Sequence, residues 1–397
     1  MTDPNGALQG IRVLDMSRAL AGPSAAMTLG DFGADVIKVE EPRHGDPTRG
    51  FPPFWNGENT YYLSANRNKW SLTLDLEREE GRVIARELAA RSDVLIESFR
   101  TGAMEKWGLG WEALREANPR LVYCAVSAVG REGPDKERAG VDLLMQAYGG
   151  LMGITGEADG EPVRTGTSVV DLATGADAVQ GILAALFVRE RTGKGQRVDV
   201  SLLGSLIGWL GYHAVAFFAT GEQPARMGSR HPSVAPYGAF PTRDGHLVVA
   251  VAMEASWRRF CAALGQPGPT DDPRFAKNPD RIANRAELER IVTAALADRT
   301  AAEWGAIMDG AGVPCSPIND LATVLSLPQV LHQEFVIDLP HADIPDLRMP
   351  GVPIKLADTP GAARLPPPRL GEHTAEILAG LGRDAAMIAG LRQSGIV

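Results

Sequence analysis

Asp171 is the residue of this chain best placed for covalent chemistry. It stands in SVVDLATGADAVQGILAAL, at the start of a strongly apolar helical run. Aspartate at such a place fills an N-cap well. The same place holds a carboxylate against the positive end of a helix, where it serves as a nucleophile. Position alone leaves both readings open. Arg18 stands just before the first helix, whose N-terminus facing a strand end is an anion site. Six more cations, Arg43, Arg49, Arg67, Lys69, Arg100 and Lys106, fall near turn signals of the first half. They line a phosphate site or belong to ordinary solvated surface, and charge alone favours the surface.

Several familiar chemistries are missing. The first strand-to-helix loop is MSRALAGPSAAM, without G-x-G-x-x-G, although Glu40 ends the second strand where a ribose-binding acid would sit. Thr192 to Arg197 (TGKGQR) is a glycine turn between helix and strand, not a P-loop. Three scattered cysteines, Cys124, Cys261 and Cys315, give no disulfide framework and no metal-ligand spacing. The histidines form no H-E-x-x-H pattern, so no metal site is expected.

The elements that must position Asp171 read as alternating strands and helices. Strands are expected at 11–15, 35–40, 70–75, 93–97, 121–126 and 196–200. Helices are expected at 23–32, 77–91, 111–117, 141–150 and 171–191. This order argues for an α/β fold with a doubly wound, mainly parallel sheet. After Thr220 the composition shifts to a Gly, Pro, Ser and Arg-rich stretch over 221–236, a linker or active-site loop. A compact unit follows, with a strand at 246–251, helices near Glu254, Ala286 and Ala301, and a turn-rich end at 312–320. An extended run over 350–368 and helices at 374–381 and 384–393 close the chain.

At 397 residues the chain has room for roughly two to three domains. Apolar residues make up 44%, enough for a sizeable core, and 40 cationic against 49 acidic side chains leave a net charge of −9. That balance argues against nucleic-acid binding but permits a local basic pocket. The uncharged stretch Ser201 to Thr220 is nearly long enough to span a membrane. It carries His213 and several glycines without a basic flank, so it is expected to be a buried or interface helix. MTDPNGALQG shows no leader pattern, and a cytoplasmic location is expected.

As a whole the sequence resembles the class III CoA-transferases, which include formyl-CoA:oxalate and carnitine CoA-transferases and have α-methylacyl-CoA racemases as relatives. The likeness runs from GIRVLDMSRALAGP (Gly10 to Pro23) through FGADVIKVEEP (Phe32 to Pro42), GDPTRG (Gly45 to Gly50) and NRNK (Asn66 to Lys69). It continues through RTGAMEKWGLG (Arg100 to Gly110), DLATG (Asp171 to Gly175), TGKGQRVDVS (Thr192 to Ser201) and LGEHT (Leu370 to Thr374). The likeness is greatest to the succinyl-CoA:dicarboxylate group, whose members use glutarate, malate, citramalate or mesaconate-type acids.

The resemblance implies that Asp171 is the nucleophile of a CoA transfer through an aspartyl mixed anhydride and an aspartyl-CoA thioester. The CoA thioester is substrate, and no resident cofactor is implied. The resemblance places Arg18, Arg43, Lys69, Ser98, Phe99 and Lys106 against CoA, with Phe99 near adenine. It points to Arg67 for the free carboxylate of a dicarboxylic acid, with Arg18 and Arg230 as rivals. It implies a Rossmann-like large domain over 1–200 completed by 331–397, a linker helix over 201–225, a smaller α/β domain over 226–330 and an interlocked homodimer. Two alternatives stay open: an acyl-CoA racemase or epimerase, and an inactive CoA-binding protein. Gly140, Val141 and Asp142 stand where the racemase branch has a G-H-D histidine, which counts against the first. The intact Asp171 counts against the second.

Overall fold

The computed structural model describes residues 6–397. Residues 1–5, part of the segment read for a leader, lie outside the described residues. The chain divides into two compact units. The larger comprises residues 6–151, 165–221 and 328–397, and the smaller 152–164 and 222–327.

Six parallel strands form the sheet of the larger unit. They are β1 (Arg12–Met16), β2 (Asp35–Glu40), β3 (Lys69–Thr73), β4 (Val94–Glu97), β5 (Val122–Ser127) and β6 (Arg197–Ser201). Their order is β3-β2-β1-β4-β5-β6, all neighbours parallel. That is the order of a doubly wound nucleotide-binding sheet, reversing direction at β1 and β4. Alternation along the strands sends side chains to both faces. Val13, Val94, Ile96 and Val122 join one core with α1 (Ala21–Asp31) and α2 (Val169–Thr192). Leu14, Leu72, Leu95 and Tyr123 join a second core with the helices Glu79–Ala90, Trp111–Ala117 and Thr374–Gly380.

The edge of β3 is covered by the end of the chain. The Asn68 and Asp75 amides donate to the carbonyls of Leu365 and Ile396. The Ser71 amide donates to His373 Nδ1, and the Thr73 amide to Thr374 Oγ1. A bare edge strand would otherwise offer its ladder to another chain.

The smaller unit carries a three-stranded antiparallel sheet of Tyr237–Pro241, His246–Ala250 and Cys315–Pro317. Its core includes Phe240, Trp257, Phe260, Leu288 and Trp304. Two of its strands are missed by the sequence reading: Tyr237–Pro241 follows directly on the 221–236 stretch where no element is expected, and Cys315–Pro317 lies in the turn-rich end. Proline closes both, and one is only three residues long, so periodicity is masked.

The uncharged stretch 201–220 is not the single helix expected. It forms Leu202–Leu210 and Tyr212–Thr220, bent by 68°. Gly211 at the joint has φ 49°, which ends the first helix. Both belong to the larger unit. Among the described residues, Val169–Thr192 alone is by itself long and apolar enough to cross a membrane, and half of its most apolar window is buried inside the protein.

Helix α2 crosses α1 at a glycine. A Cβ at Gly175 would meet Ser24 Oγ at 2.3 Å and the Ala21 carbonyl at 2.8 Å. The backbones therefore touch one helical turn beyond Asp171, which fixes Asp171 beside the first turn of α1. In Gly175→Ala the Ser24 hydroxyl can rotate away but the Ala21 carbonyl cannot. We expect a loss of about 1–3 kcal/mol in stability and a fall in activity, measured by urea unfolding and steady-state kinetics.

Candidate active site

Asp171 lies in the first turn of α2 but does not cap it. Ser168 is the N-cap by position and its side chain makes no capping bond. The cap comes from Asp142, whose Oδ2 accepts the Val170 and Asp171 amides at 2.8 and 3.2 Å. Gln146 Nε2 donates to Asp142 Oδ1 at 2.5 Å, and Gln146 Oε1 accepts the Thr165 amide at 3.0 Å. The Asp171 carboxylate is thus spared the capping role that its place in the sequence also allows. Burial, with the Asp142 carboxylate beside it, pushes Asp171 up to about 7.

Asp171 lines a cavity of about 350 Å³, built within the larger unit at the carboxyl ends of the strands. Open α/β sheets bind ligands at that end, beside the switch in strand order. The turn after β1 supplies Arg18, Ala19 and Leu20. The turn after β4 supplies Ser98, Phe99, Arg100 and Thr101. The segment after β5 supplies Lys136 to Val141. Four cations, Arg18, Arg100, Lys136 and Arg138, line it together with Glu137 and Asp171, and Arg138 also pairs with Asp135 at 3.2 Å.

The turns are tied to one another. The Arg18 amide donates to Ser98 Oγ at 2.9 Å. The Arg18 guanidinium lies 4.8 Å from the Phe99 ring centroid, and the far side of this group is closed by Trp107, edge-on to Phe99 at 5.0 Å. Beneath Phe99, its amide donates to Glu97 Oε2 at 2.8 Å. Glu97 is buried against Arg131 and pushed up to about 7 by that burial.

Tyr61 comes close to Asp171 from another direction. It hydrogen-bonds Ser168, and burial followed by the Asp171 and Asp142 carboxylates raises its phenol. Its ring meets Phe51 edge-on at 6.3 Å. Among the described residues no group of three or more His, Cys, Asp or Glu side chains is gathered as a metal would need.

A family model described as CoA-transferase family III matches residues 8–374. The chain belongs to CoA-transferase family III. It is 41% identical over 392 residues to succinyl-CoA:glutarate CoA-transferase of Mus musculus, covering 98% of this chain and 90% of that protein. It is 40% identical over 384 residues to succinate–glutarate CoA-transferase of Agrobacterium fabrum, covering 94% and 95%. A CaiB/BaiF family protein from Brucella suis has a related structure, with TM-score 0.85 and 38% identity over 95% of this chain and 100% of that one.

The expected contacts of this family III chain separate into two groups. Arg18, Ser98, Phe99 and Asp171 line one cavity. Lys106 is exposed outside that lining. Arg43 is also outside it, exposed and paired with Glu41 at 3.1 Å. Lys69 points inward. Its Nζ donates to Asp15 Oδ2, the Pro23 carbonyl and Asn66 Oδ1 at 2.8, 2.8 and 2.9 Å. Those bonds use all three of its protons, so no donor is left for a phosphate.

Arg67 is likewise committed. Its Nε and Nη2 donate to the two Asp31 oxygens at 2.8 and 2.6 Å, and Nη1 to the Pro350 carbonyl at 2.8 Å. At 2% exposure it is a buried structural tie and not an open carboxylate clamp. Arg230 belongs to the smaller unit, where Glu289 at 2.9 Å and Glu157 at 3.6 Å engage it. Glu40, placed by sequence at a ribose position, is buried and accepts from Arg49, Ser71 and Tyr62.

The sequence reading misses Asp142 as the cap, and it misses Tyr61, Lys136 and Arg138. The signal for the last two is the charged Gly/Pro run REGPDKERAG between a strand and a helix, which marks a loop at the ligand end of the sheet.

A raised carboxyl favours the protonated folded state. Stability from this source is full below about 4 and is lost as pH rises through about 7. Asp171→Asn keeps the shape without the charge. Thermal melts should place it above the wild type at pH 8, with the gap closing by pH 4–5. Equal gaps at both values would contradict the shifted carboxyl.

Proposed function

We propose that this enzyme moves CoA from succinyl-CoA or a similar acyl-CoA to a small dicarboxylic acid, with Asp171 as nucleophile. The observation that carries this reading is one uncapping carboxylate at a helix N-terminus, in the wall of a cavity ringed by four cations. The names of the mouse and Agrobacterium relatives support the donor and the class of acceptor.

The Asp171 carboxylate attacks the thioester carbonyl. The C–S bond breaks and CoA leaves as thiolate, giving a mixed anhydride. The thiolate attacks the aspartyl carbonyl, which frees the first acid and leaves an aspartyl-CoA thioester. The incoming carboxylate attacks that thioester, CoA thiolate leaves again, and a second anhydride forms. Thiolate attack on the new acyl carbonyl releases the product thioester and regenerates Asp171. Acyl groups pass only between oxygen and sulfur, so the exchange is near thermoneutral. An anhydride hydrolyses readily, so the site must exclude water.

Arg18 and Phe99 offer a stacked platform for adenine, and Arg18, Arg100, Lys136 and Arg138 offer charge for the phosphates. Arg43 and Lys106 are outer contacts in this reading. With Arg67 and Arg230 engaged elsewhere, Arg18 is the arginine of the three that shares the Asp171 cavity. Val141, 61% exposed in that wall, supplies no proton, which favours transfer over racemisation.

A second copy of the chain is also proposed. Trp209, Val215 and Phe218 are 60%, 66% and 82% exposed on the two bent helices. An apolar patch of that kind marks an interface. Light scattering should give twice the 42.3 kDa chain mass; a monomer would remove this part of the reading.

Intact-protein mass spectrometry with succinyl-CoA and no acceptor tests the chemistry. A covalent acyl-sized or CoA-sized adduct is expected on the wild type and not on Asp171→Ala. Equal labelling of both proteins would remove Asp171 from the mechanism.

A further inference from the structure

The turn that joins β1 to α1 is the strained part of the cavity wall. Ala19 sits at φ 66°, in the left-handed region. A residue with a Cβ stays there only where its surroundings impose it. Four backbone groups of this turn are held. The Ser17 amide donates to Asp15 Oδ1 at 3.0 Å, and the Ser17 carbonyl accepts from Lys38 Nζ at 3.0 Å. The Arg18 amide donates to Ser98 Oγ, as described above. The Ala19 amide donates to the Asp46 carboxylate, at 3.2 Å to Oδ2 and 3.4 Å to Oδ1.

Asp46 is itself fixed from below. It pairs with Lys38 at 3.1 Å and accepts the Thr48 amide and hydroxyl at 3.0 and 2.8 Å. Its own amide donates to Glu40 Oε2 at 3.1 Å. Lys38 is 0% exposed and Asp46 2%. Neither lines the cavity, and the acyl-transfer steps use neither. A buried ion pair of this kind contributes little net stability over apolar side chains of similar size. Its effect is geometric.

We propose that Asp46 is a positioning residue for CoA transfer. Held by Lys38, it locks Ala19 in the left-handed conformation and so sets where Arg18 meets the cavity that Asp171 lines. The inference rests on the reading of that cavity as the active site. It makes the GDPTRG motif, through its aspartate, a brace for the first loop and not a ligand contact.

The test compares steady-state CoA transfer by wild type, Asp46→Asn, Ala19→Gly, the double variant and Asp171→Ala, all well below their melting temperatures. Ala19 and Lys38 share Asp46 Oδ2 while the Thr48 amide and hydroxyl share Oδ1. The single oxygen of Asp46→Asn cannot accept from both pairs, and its NH₂ has nothing to accept with. Ala19 then relaxes and Arg18 moves; a misplacement of about 1 Å costs up to about 10²-fold. We expect kcat/KM to fall at least about tenfold.

Glycine holds φ near 66° without the Cβ penalty. In the Asp46→Asn background Ala19→Gly should therefore restore activity at least about threefold. It should not raise the melting temperature, because glycine adds unfolded-state entropy. A merely structural role for Asp46 would give no such rescue. If Asp46→Asn does not fold, Lys38→Met/Asp46→Asn leaves no unpaired buried charge, and the same loss and rescue are expected.

Asp46→Asn within twofold of wild type, or a double variant no better than Asp46→Asn, overturns the proposal. An inactive Asp171→Ala beside either result leaves the cavity reading standing. An active Asp171→Ala overturns the cavity reading itself.

Discussion

Three buried charges on adjacent strands hold the ligand end of this sheet. Asp15 on β1 pairs with Lys69 from β3 at 2.8 Å, and Lys38 from β2 lies 4.0 Å away. Burial, which the Asp15 carboxylate opposes and Lys38 adds to, draws the Lys69 ammonium down to about 8. Burial also opposes ionisation of Asp15, but Lys69 and Lys38 hold its carboxyl below the usual carboxylate range. Removing one member would leave an uncompensated charge in a dry interior, which costs far more than the set contributes. The cluster spreads outward from there. Lys69 reaches the Pro23 carbonyl in the first turn of α1, and Lys38 reaches the Ser17 carbonyl. Strand register is thereby linked to the loop that carries Arg18.

The candidate nucleophile is held against its own preference. Its carboxylate is largely buried beside a second carboxylate, and that raises its basicity at a cost in stability. The geometry that imposes this comes from two places. Asp142 takes the amides and leaves its charge beside Asp171, and Gly175 sets the helix crossing that buries it. A stronger base is a stronger attacking group, so the strain and the chemistry have one origin.

The sheet is legible in the sequence because its strands are apolar runs bounded by turn residues. The expected bounds fall within one or two residues of all six strands. Asp171 draws notice as a carboxylate at the start of an apolar helix, but acids are common there and position alone leaves a cap and a nucleophile both open. The nucleophile reading comes with the resemblance around DLATG. Lys69 and Arg67 show the limit. A cation beside a turn reads the same whether it faces solvent or an acid far along the chain. Their partners are Asp15 and Asp31, distant in sequence. Direction depends on strand register, which composition does not carry. The short strands of the smaller unit are hidden for a related reason, since runs of five and three residues ending in proline show little period.

The covered edge of β3 has a consequence for how the chain is made. The amides of residues 68–75 wait for carbonyls and side chains from residues 365–396. The whole smaller unit is synthesised in between. On the ribosome the first half can gather its strands, yet one edge stays unsealed until residues 365–396 emerge. Contacts so far apart in sequence form late and slowly. The nascent chain therefore carries an open, hydrogen-bonding strand while everything between residues 75 and 365 is made, the stage at which such edges find the wrong partner.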